Sequence, residues 1–239
     1  MNSILATGIY TGDFTTDKGL RFMQVTLPRV GQSGADVPLL VVRNRAAGEI
    51  LESLQVGAKI LLSGRLYPNR NDYKMYVVPN QPIQVLGGEG VHINRVNLFG
   101  GVGYVEDKTE ELFIFSLMCS APAQQILGHT WQDSLPFKLE AWGEDAKRLN
   151  RMLQKGRSVS VEGVLRYSTW AGKDGSQKSG YQVRVRSGMY GLGPVKRADG
   201  APAPAVANHQ EVMPAPTAQP VMVRQDLTPC SVETDEIPF

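Results

Sequence analysis

The chain repeats itself once, with a constant offset of 99 residues between positions 37–66 and 136–165. Both segments show the same order of features: an alternating apolar strand, a short helical stretch, a glycine (Gly57 or Gly156) and a second apolar strand. Duplication explains the equal spacing without a further assumption. The repeat therefore predicts two similar domains in preference to the alternative, one larger β-sandwich.

Each repeat contains a short amphipathic helix. Apolar residues recur at helical spacing in both copies, namely Ala47, Ile50, Leu51 and Leu54 in the first and Ala146, Leu149, Met152 and Leu153 in the second. We expect Gly57 and Gly156 to end these helices as C′ residues.

The remaining segments follow the two-residue period of β-strands. The clearest alternation is that of Tyr181, Val183 and Val185 with Gln182, Arg184 and Arg186; residues 113–118 alternate likewise. Asp174-Gly175, shortly after Trp170, predicts a hairpin turn. About five short strands with a helix before the fourth is the order of the OB-fold, a Greek-key barrel. The predicted fold is all-β, with two tandem five-stranded OB-fold domains.

The C-terminal segment has a different composition. From Pro194 onward the chain holds 8 of its 15 prolines and no aromatic residue before Phe239. Such a segment buries too little apolar surface to offset its ordering entropy, so we expect disorder. The predicted domains are 1–87 and 93–193 with a linker at 88–92, then a disordered Pro/Ala-rich linker at 194–234 and an acidic tip at 235–239.

Charge is unevenly placed along the chain. Residues 1–193 carry 22 Lys and Arg against 17 Asp and Glu, whereas residues 194–239 carry 3 against 6. A basic body with an acidic tail suggests a body that faces a polyanion. Cys119 lies in an apolar run and Cys230 in the tail, so we expect no disulfide and a reducing compartment. Without a spanning apolar run or a signal peptide, the expected location is the cytoplasm.

Motifs for catalysis are not found in the sequence. His92, His129 and His209 are scattered and lie near no carboxylate or cysteine cluster. The run 100–103 (Gly-Gly-Val-Gly) lacks dinucleotide-binding and phosphate-loop spacing. The sequence therefore predicts a protein that is not an enzyme, with no cofactor and no metal.

The second half resembles the bacterial single-stranded-DNA-binding proteins. The resemblance is carried by residues 94–100 (Asn-Arg-Val-Asn-Leu-Phe-Gly), 115–117, 162–165 (Glu-Gly-Val-Leu), Trp170, 173–175, 189–193 (Met-Tyr-Gly-Leu-Gly) and the tip 235–239 (Asp-Glu-Ile-Pro-Phe). It covers 93–193 and the tip, and only the duplication extends it to 1–87. The family uses such a tip to recruit replication and repair enzymes; a solubilising acidic tail is the alternative. The resemblance thus implies a partner-binding site of Asp235, Glu236, Ile237, Pro238 and Phe239.

By the same resemblance, aromatic residues for base stacking fall at Trp142 and Trp170. Trp142 could instead fill the barrel core, and Trp131 lies in an irregular loop where either role is open. The family's further Trp before the third strand is absent; Ser134-Leu135-Pro136 occupies that stretch. The remaining DNA-binding candidates in this half are Arg166, Tyr167, Lys173, Lys178, Arg184, Arg186 and Lys138.

The first half departs from this pattern, because Arg43 occupies the position of Trp142 in the repeat. Its hairpin interleaves rings and cations, which suits a phosphate track with weaker stacking; an assembly role is the alternative. The candidates there are Arg43, Arg65, Tyr67, Arg70, Tyr73 and Lys74. Single-domain relatives are tetramers, so the resemblance implies a homodimer with four OB-folds in total.

We therefore expect a cytoplasmic, nucleoid-associated protein that binds and protects single-stranded DNA without sequence preference in replication, recombination and repair. Its tip would recruit partner enzymes. The alternative is an OB-fold accessory protein, such as a primosome or recombination mediator, that acts mainly through protein contacts. An OB-fold nuclease would need clustered acidic residues and a metal, which the sequence does not offer.

Overall fold

The computed structural model of the chain describes most of residues 1–193. The described ranges are 1–16, 19–28, 36–47, 53–69, 74–88, 91–109, 111–122, 125–126, 129–130, 134–171 and 175–193. The predicted disordered linker at 194–234 and the tip at 235–239 lie outside them.

The N-terminal half is a closed five-stranded barrel. Its strands are β1 (Asn2–Thr15), β2 (Arg21–Leu27), β3 (Val37–Val42), β4 (Lys59–Pro68) and β5 (Met75–Pro79). They follow the order β1-β2-β3-β5-β4 and close through β4 onto β1; β3 and β5 are parallel and the other pairs antiparallel. A 3-10 helix (Arg45–Ala47) follows β3, and the short β6 (Gln84–Val85) adds to β4.

The second half repeats this topology. Its barrel strands are β7 (Asn94–Thr109), β8 (Leu112–Ser120), β11 (Ser134–Trp142), β12 (Ser158–Ala171) and β13 (Gln177–Leu192). Their order, β7-β8-β11-β13-β12 with closure of β12 onto β7, matches that of the first barrel, including the one parallel pair. Helix α1 (Gly143–Met152) precedes β12, and β9 (Gln125–Ile126) pairs with β10 (His129–Thr130).

Alternating side chains fill each barrel. In β13, Val183 and Val185 are buried, whereas Arg184 between them is partly exposed. Helix α1 packs against β8 and β11 and buries Ala146 and Leu149 at the predicted helical spacing. The first turn of α1 carries two acidic residues, which its positive dipole end favours. The predicted second helix is therefore confirmed.

Gly57 and Gly156, the glycines that the two repeats share, do not lie where the sequence predicted them. Helix α1 ends at Met152 with Leu153 as its C-cap, so Gly156 is not its C′ residue and that prediction was wrong. Gly57 (φ 91°) and Gly156 (φ 83°) instead lie in the turns that precede β4 and β12. Their backbone N–H groups donate hydrogen bonds to the backbone carbonyls of Tyr10 and Val102, respectively, each at 2.8 Å. These bonds hold the turn that leads into the fourth barrel strand. Positive φ is the conformation that glycine adopts at least cost.

The first strands of the two barrels pair with each other. Residues 2–6 of β1 run antiparallel to residues 94–98 of β7, with Ile4 opposite Val96 at the centre. The pairing relates the barrels by an approximate two-fold axis through that central pair. Both barrels therefore share one continuous sheet, and the described residues lie in a single compact unit.

In the part of the chain that the structure describes, no helix has the length and apolar character needed to cross a membrane.

Candidate nucleic-acid interface

Trp142 lies at the end of β11, immediately before α1, with 45% of its surface exposed. The Arg184 guanidinium lies over the indole, 5.0 Å from the ring centre. Arg184 in turn donates through Nε to Glu140 Oε1 at 2.8 Å. The register explains this grouping, because Glu140 of β11 and Arg184 of β13 are partners in the parallel pairing of the barrel. An exposed ring with an oriented cation beside it is suited to stack on a base.

Glu140 organises two of the predicted cations. Its side chain is only 6% exposed, and Arg166 lies 3.8 Å from the same oxygen that Arg184 contacts. A buried carboxylate needs such compensation. Both guanidinium groups are thereby held beside Glu140, and Arg184 also lies over Trp142. The two arginines and the carboxylate together keep one net positive charge.

Arg186 belongs to a different ion-pair group. Its guanidinium lies 3.2 Å from Glu162, a nearly buried carboxylate on β12. Glu162 also pairs with Arg95 of β7. This second group has the same composition, one buried carboxylate between two guanidinium groups.

Trp170 lies in the β12–β13 hairpin and is 47% exposed. It is paired across the hairpin with Lys178, which is itself exposed. Gly180 leaves room for the indole, since a Cβ at that position would lie 3.1 Å from Cη2 of Trp170. The ring can thus lie against the strand and keep a surface open to solvent.

Tyr167 is less available than the two tryptophans. Its ring is partly buried against the core and packs on Tyr181, with ring centres 4.9 Å apart. The Tyr181 hydroxyl donates to the Pro38 carbonyl of the first barrel at 2.6 Å. Tyr181 therefore forms part of the contact between the barrels, and Tyr167 packs on it.

In the first barrel, Arg43 is engaged by an acidic residue. Its guanidinium lies 2.9 Å from Asp13, which also pairs with Arg21 at 3.0 Å. The Tyr10 hydroxyl donates to the same carboxylate, and burial together with this carboxylate raises the pKa of Tyr10. The site equivalent to Trp142 is thus occupied by a polar cluster of Asp13, Arg21, Arg43 and Tyr10 that offers no exposed ring.

The prediction of Tyr67 as a DNA-contacting ring was wrong. Tyr67 is fully buried at 0% exposure, and its hydroxyl donates to the Pro122 carbonyl of the second barrel at 3.2 Å. Burial raises the pKa of this hydroxyl, against the opposing effect of Arg65. The second barrel covers the ring, so no base can stack on it. Tyr76, of the same hairpin, is also buried.

The lysine predictions fall on exposed positions. Lys74 lies over the Phe14 ring, with Nζ 4.6 Å from the ring centre, and Lys138 is exposed on β11.

Sequence reasoning missed Phe14, which packs on Phe22 and is partly buried. Its place near the end of the alternating strand β1 was the available signal. The predicted residues Trp131, Arg70, Tyr73 and Lys173, and the tip residues, lie outside the described part of the chain.

Among the described residues, no three His, Cys, Asp or Glu side chains are grouped so that they could hold a metal ion. The interface is thus built from rings, guanidinium groups and lysines.

Comparison with known protein families gives a match over most of the second barrel. Residues 93–189 match the model of the Single-strand binding protein family. No curated protein matches the chain.

The fold of the chain is also similar to crystal structures of the single-stranded DNA binding protein from Thermus aquaticus. The wild-type structure is 18% identical, covers 84% of this chain and 97% of its own, and gives a TM-score of 0.54. A deletion mutant is 17% identical, covers 84% of this chain and 98% of its own, and gives a TM-score of 0.52. At this identity the likeness shows the fold, and it confirms the predicted OB-folds.

Proposed function

We propose that this chain coats and protects single-stranded DNA without sequence preference during replication, recombination and repair. The observation that carries the proposal is the pair of half-exposed indoles, Trp142 and Trp170, on the family-matched barrel. Each has a cation beside it: Arg184 over the first ring and Lys178 across the hairpin from the second.

Stacking accounts for the lack of sequence preference. Every base has a π-face, so an exposed indole accepts any base, while nearby cations interact with phosphates that are the same at each nucleotide. Arg166 and Arg184 are engaged by Glu140, which limits their freedom to form the paired hydrogen bonds that read a base edge. This arrangement supports binding of the strand by its general chemistry.

The assembly we propose is a homodimer. A chain with two barrels reaches four OB-folds, the number that the family resemblance implies, when two copies associate. Sedimentation of the full chain tests this directly, because a monomer or a tetramer at working concentration would exclude it.

The tip at 235–239 is proposed to recruit replication and repair enzymes. Its composition supports this role, since Ile237 and Phe239 offer apolar contacts beside the carboxylates of Asp235 and Glu236. A solubilising tail would gain nothing from the apolar residues. Several tails on one coated strand would raise the effective concentration of each docking peptide.

Titration of the full chain with oligo-dT, followed by Trp fluorescence, tests the DNA-coating proposal. We expect strong quenching, a site of several nucleotides, and an affinity that falls with salt at a slope of about −0.7 per neutralised phosphate. Weak or no quenching would favour an accessory protein that acts through protein contacts. Loss of the strand in the presence of divalent metal would indicate a nuclease.

A further inference from the structure

A cavity of ≈ 690 Å³ lies on the first barrel, beside the chain that leads to the second barrel. One side is formed by residues of β1, by Pro28 after β2 and by the start of β4. The other side is formed by the connecting segment, which we define as residues 86–93. None of the described residues that line the cavity is among those assigned above to DNA binding. The cavity is therefore a separate feature of the first barrel.

Hydrogen bonds hold both ends of the connecting segment against the first barrel. At one end, the Leu86 N–H donates to the Lys59 carbonyl at 2.8 Å. At the other end, the Ile93 N–H donates to Oγ1 of Thr7 at 2.8 Å, and the Thr7 N–H donates to the Ile93 carbonyl at 2.8 Å. Residues 89 and 90, between these ends, lie outside the described part of the chain. The described wall of the cavity is thus fixed in place by the barrel, as in ligand sites that are formed before the ligand binds.

The second barrel does not repeat the lining of this cavity. Lys59 is the first residue of β4, and Ser158 is the first residue of β12, the corresponding strand. The approximate two-fold axis relates Thr7 of the first barrel to Phe99, a half-exposed ring, in the second. The same strands thus form without a lysine or a threonine at these two places. The barrel fold does not require the Lys59 cation, which leaves room for a role in binding.

The lining combines positive charge with apolar surface. Lys59 and His92 both line the cavity, and none of the described lining residues is acidic. The lysine ammonium donates hydrogen bonds, and a histidine ring offers an N–H donor in either protonation state. Ile9 and Pro28 supply apolar surface beside these donors. A mainly apolar cavity with a few convergent polar groups is typical of a small-molecule site, and donors without an acidic residue favour an anion.

We propose that this cavity binds a small organic anion. Its phosphate or carboxylate group lies between Lys59 and His92, and its apolar part lies against Ile9 and Pro28. The inference goes beyond the proposed DNA-coating function and does not depend on it. It gives a ligand of its own to the barrel whose Trp142-equivalent site is occupied by a polar cluster.

Ligand-observed NMR with the full chain tests the site. The probe is phenyl phosphate, and benzyl alcohol is its neutral counterpart. We expect saturation transfer from the protein to phenyl phosphate and little transfer to benzyl alcohol, because only the first compound can use the two cationic side chains. Absence of transfer to phenyl phosphate, or equal transfer to both compounds, would show that the cavity is not an anion site.

Substitutions locate the probe in the cavity. Lys59→Ser, which introduces the residue of the second barrel, and His92→Gln should each weaken phenyl phosphate binding about tenfold, the effect of one lost charge-assisted hydrogen bond. Lys59→Arg keeps the charge and should retain binding. The matched control is Lys155→Ser, which makes the same change of charge in an exposed turn before β12. Thermal melts identify any variant that has lost its fold. An equal loss in Lys59→Ser and Lys155→Ser would assign the effect to net charge and overturn the inference.

Competition separates a small anion from the two larger anions that carry similar groups. Saturating oligo-dT, with or without a 5′-phosphate, should leave the phenyl phosphate signal unchanged. A peptide with the sequence of residues 235–239 should also leave it unchanged. Displacement by oligo-dT would assign the cavity to the DNA-binding surface, and displacement by the peptide would assign it to the acidic tip; either result overturns the inference. The phenyl phosphate measurement needs no DNA, so it remains decisive even if oligo-dT does not bind and the proposed function fails.

Discussion

Asn2 and Asn94 occupy equivalent positions at the centre of the molecule. Each lies at the start of the first strand of its barrel, and each uses its Oδ1 to accept a hydrogen bond from a backbone N–H of the fourth barrel strand. Leu66 is the donor to Asn2, at 2.9 Å, and Leu165 is the donor to Asn94, at 3.0 Å. The approximate two-fold axis through Ile4 and Val96 exchanges the two bonds. The duplication is thus preserved in specific side-chain contacts as well as in topology.

Asn2→Ala and Asn94→Ala should each lower the free energy of unfolding by about 1–3 kcal/mol, the cost of an unsatisfied buried group. Asn94→Ala removes two bonds, because Nδ2 also donates to the Leu165 carbonyl at 2.9 Å, so its effect should be the larger. Urea unfolding measures both. Asn97→Ala, on the opposite face of β7, is the control. An equal loss in that variant would show that general strand propensity, not these bonds, causes the effect.

Trp142→Ala and Trp170→Ala should each weaken oligo-dT binding by about 1–3 kcal/mol at fixed salt. The barrels should remain folded, since both rings are about half exposed. Anisotropy of a labelled oligo-dT gives the affinity independently of the indole signal, and a thermal melt checks the fold. Loss of the cooperative melt in either variant would mean that the ring supports the core, and its assignment to stacking would then be withdrawn.

The sequence predicted the parts of this fold that depend on local pattern. Strand alternation, the helix over 146–153 and the equal spacing of the repeats each reflect a periodicity within one segment. The burial of Tyr67 could not be predicted in this way, because the covering group is Pro122, which lies far along the chain in the second barrel. A ring between cations looks the same in sequence whether a second domain covers it or not.

The candidate nucleic-acid interface was predictable from the sequence to a similar extent as the fold. Trp142 and Trp170 were predicted because they matched a family pattern, but Glu140, which contacts Arg166 and Arg184, carries no motif. The pairing of Arg43 with Asp13 was also missed, since the two lie 30 residues apart and are brought together only by the pairing of β2 with both β1 and β3. Gly156 showed the same limit: it was expected to be the C′ residue of the helix, yet its turn follows the helix end at Met152 by several residues.

Asp13→Asn should tighten binding of long oligo-dT if the first barrel contacts DNA. The substitution removes one negative charge and releases Arg21 and Arg43 for phosphates, so the salt slope should steepen by about 0.7 for each guanidinium that reaches one. Glu144→Gln, on the exposed surface of α1, makes the same change in net charge and is the control. Equal effects of the two variants would assign the change to net charge alone and exclude a local role for the first barrel at this position.

Arg184→Ala should both destabilise the second barrel and weaken DNA binding. It removes the 2.8 Å ion pair of the buried Glu140 and leaves Arg166 at 3.8 Å, so we expect a loss of about 1–3 kcal/mol in stability. Glu140→Gln combined with Arg184→Gln removes the uncompensated charge and should recover part of that stability. The double variant should still bind oligo-dT weakly, because the cation over Trp142 is gone. Full recovery of affinity along with stability would limit Arg184 to a structural role.

Deletion of Phe239 should abolish the recruitment of replication or repair enzymes to a coated strand. We expect the Phe239 ring to enter an apolar pocket on the partner while Asp235 and Glu236 meet basic residues there. Such a small anchor gives a modest affinity that depends on salt. A pull-down from cell extract measures the effect. The bait is oligo-dT coated with the unaltered protein, and oligo-dT coated with the Phe239-deleted chain is run in parallel.

The same deletion should leave oligo-dT affinity unchanged, because Phe239 is proposed to contact partners and not DNA. Removal of all of 235–239 should instead tighten DNA binding slightly, since it takes away carboxylates that compete for basic side chains. Phe239→Ala, which keeps every charge of the tip, separates the two effects: it should lose partners without tightening DNA binding. If the Phe239-deleted chain retains its partners in the pull-down, the docking role is wrong, and the acidic segment serves solubility.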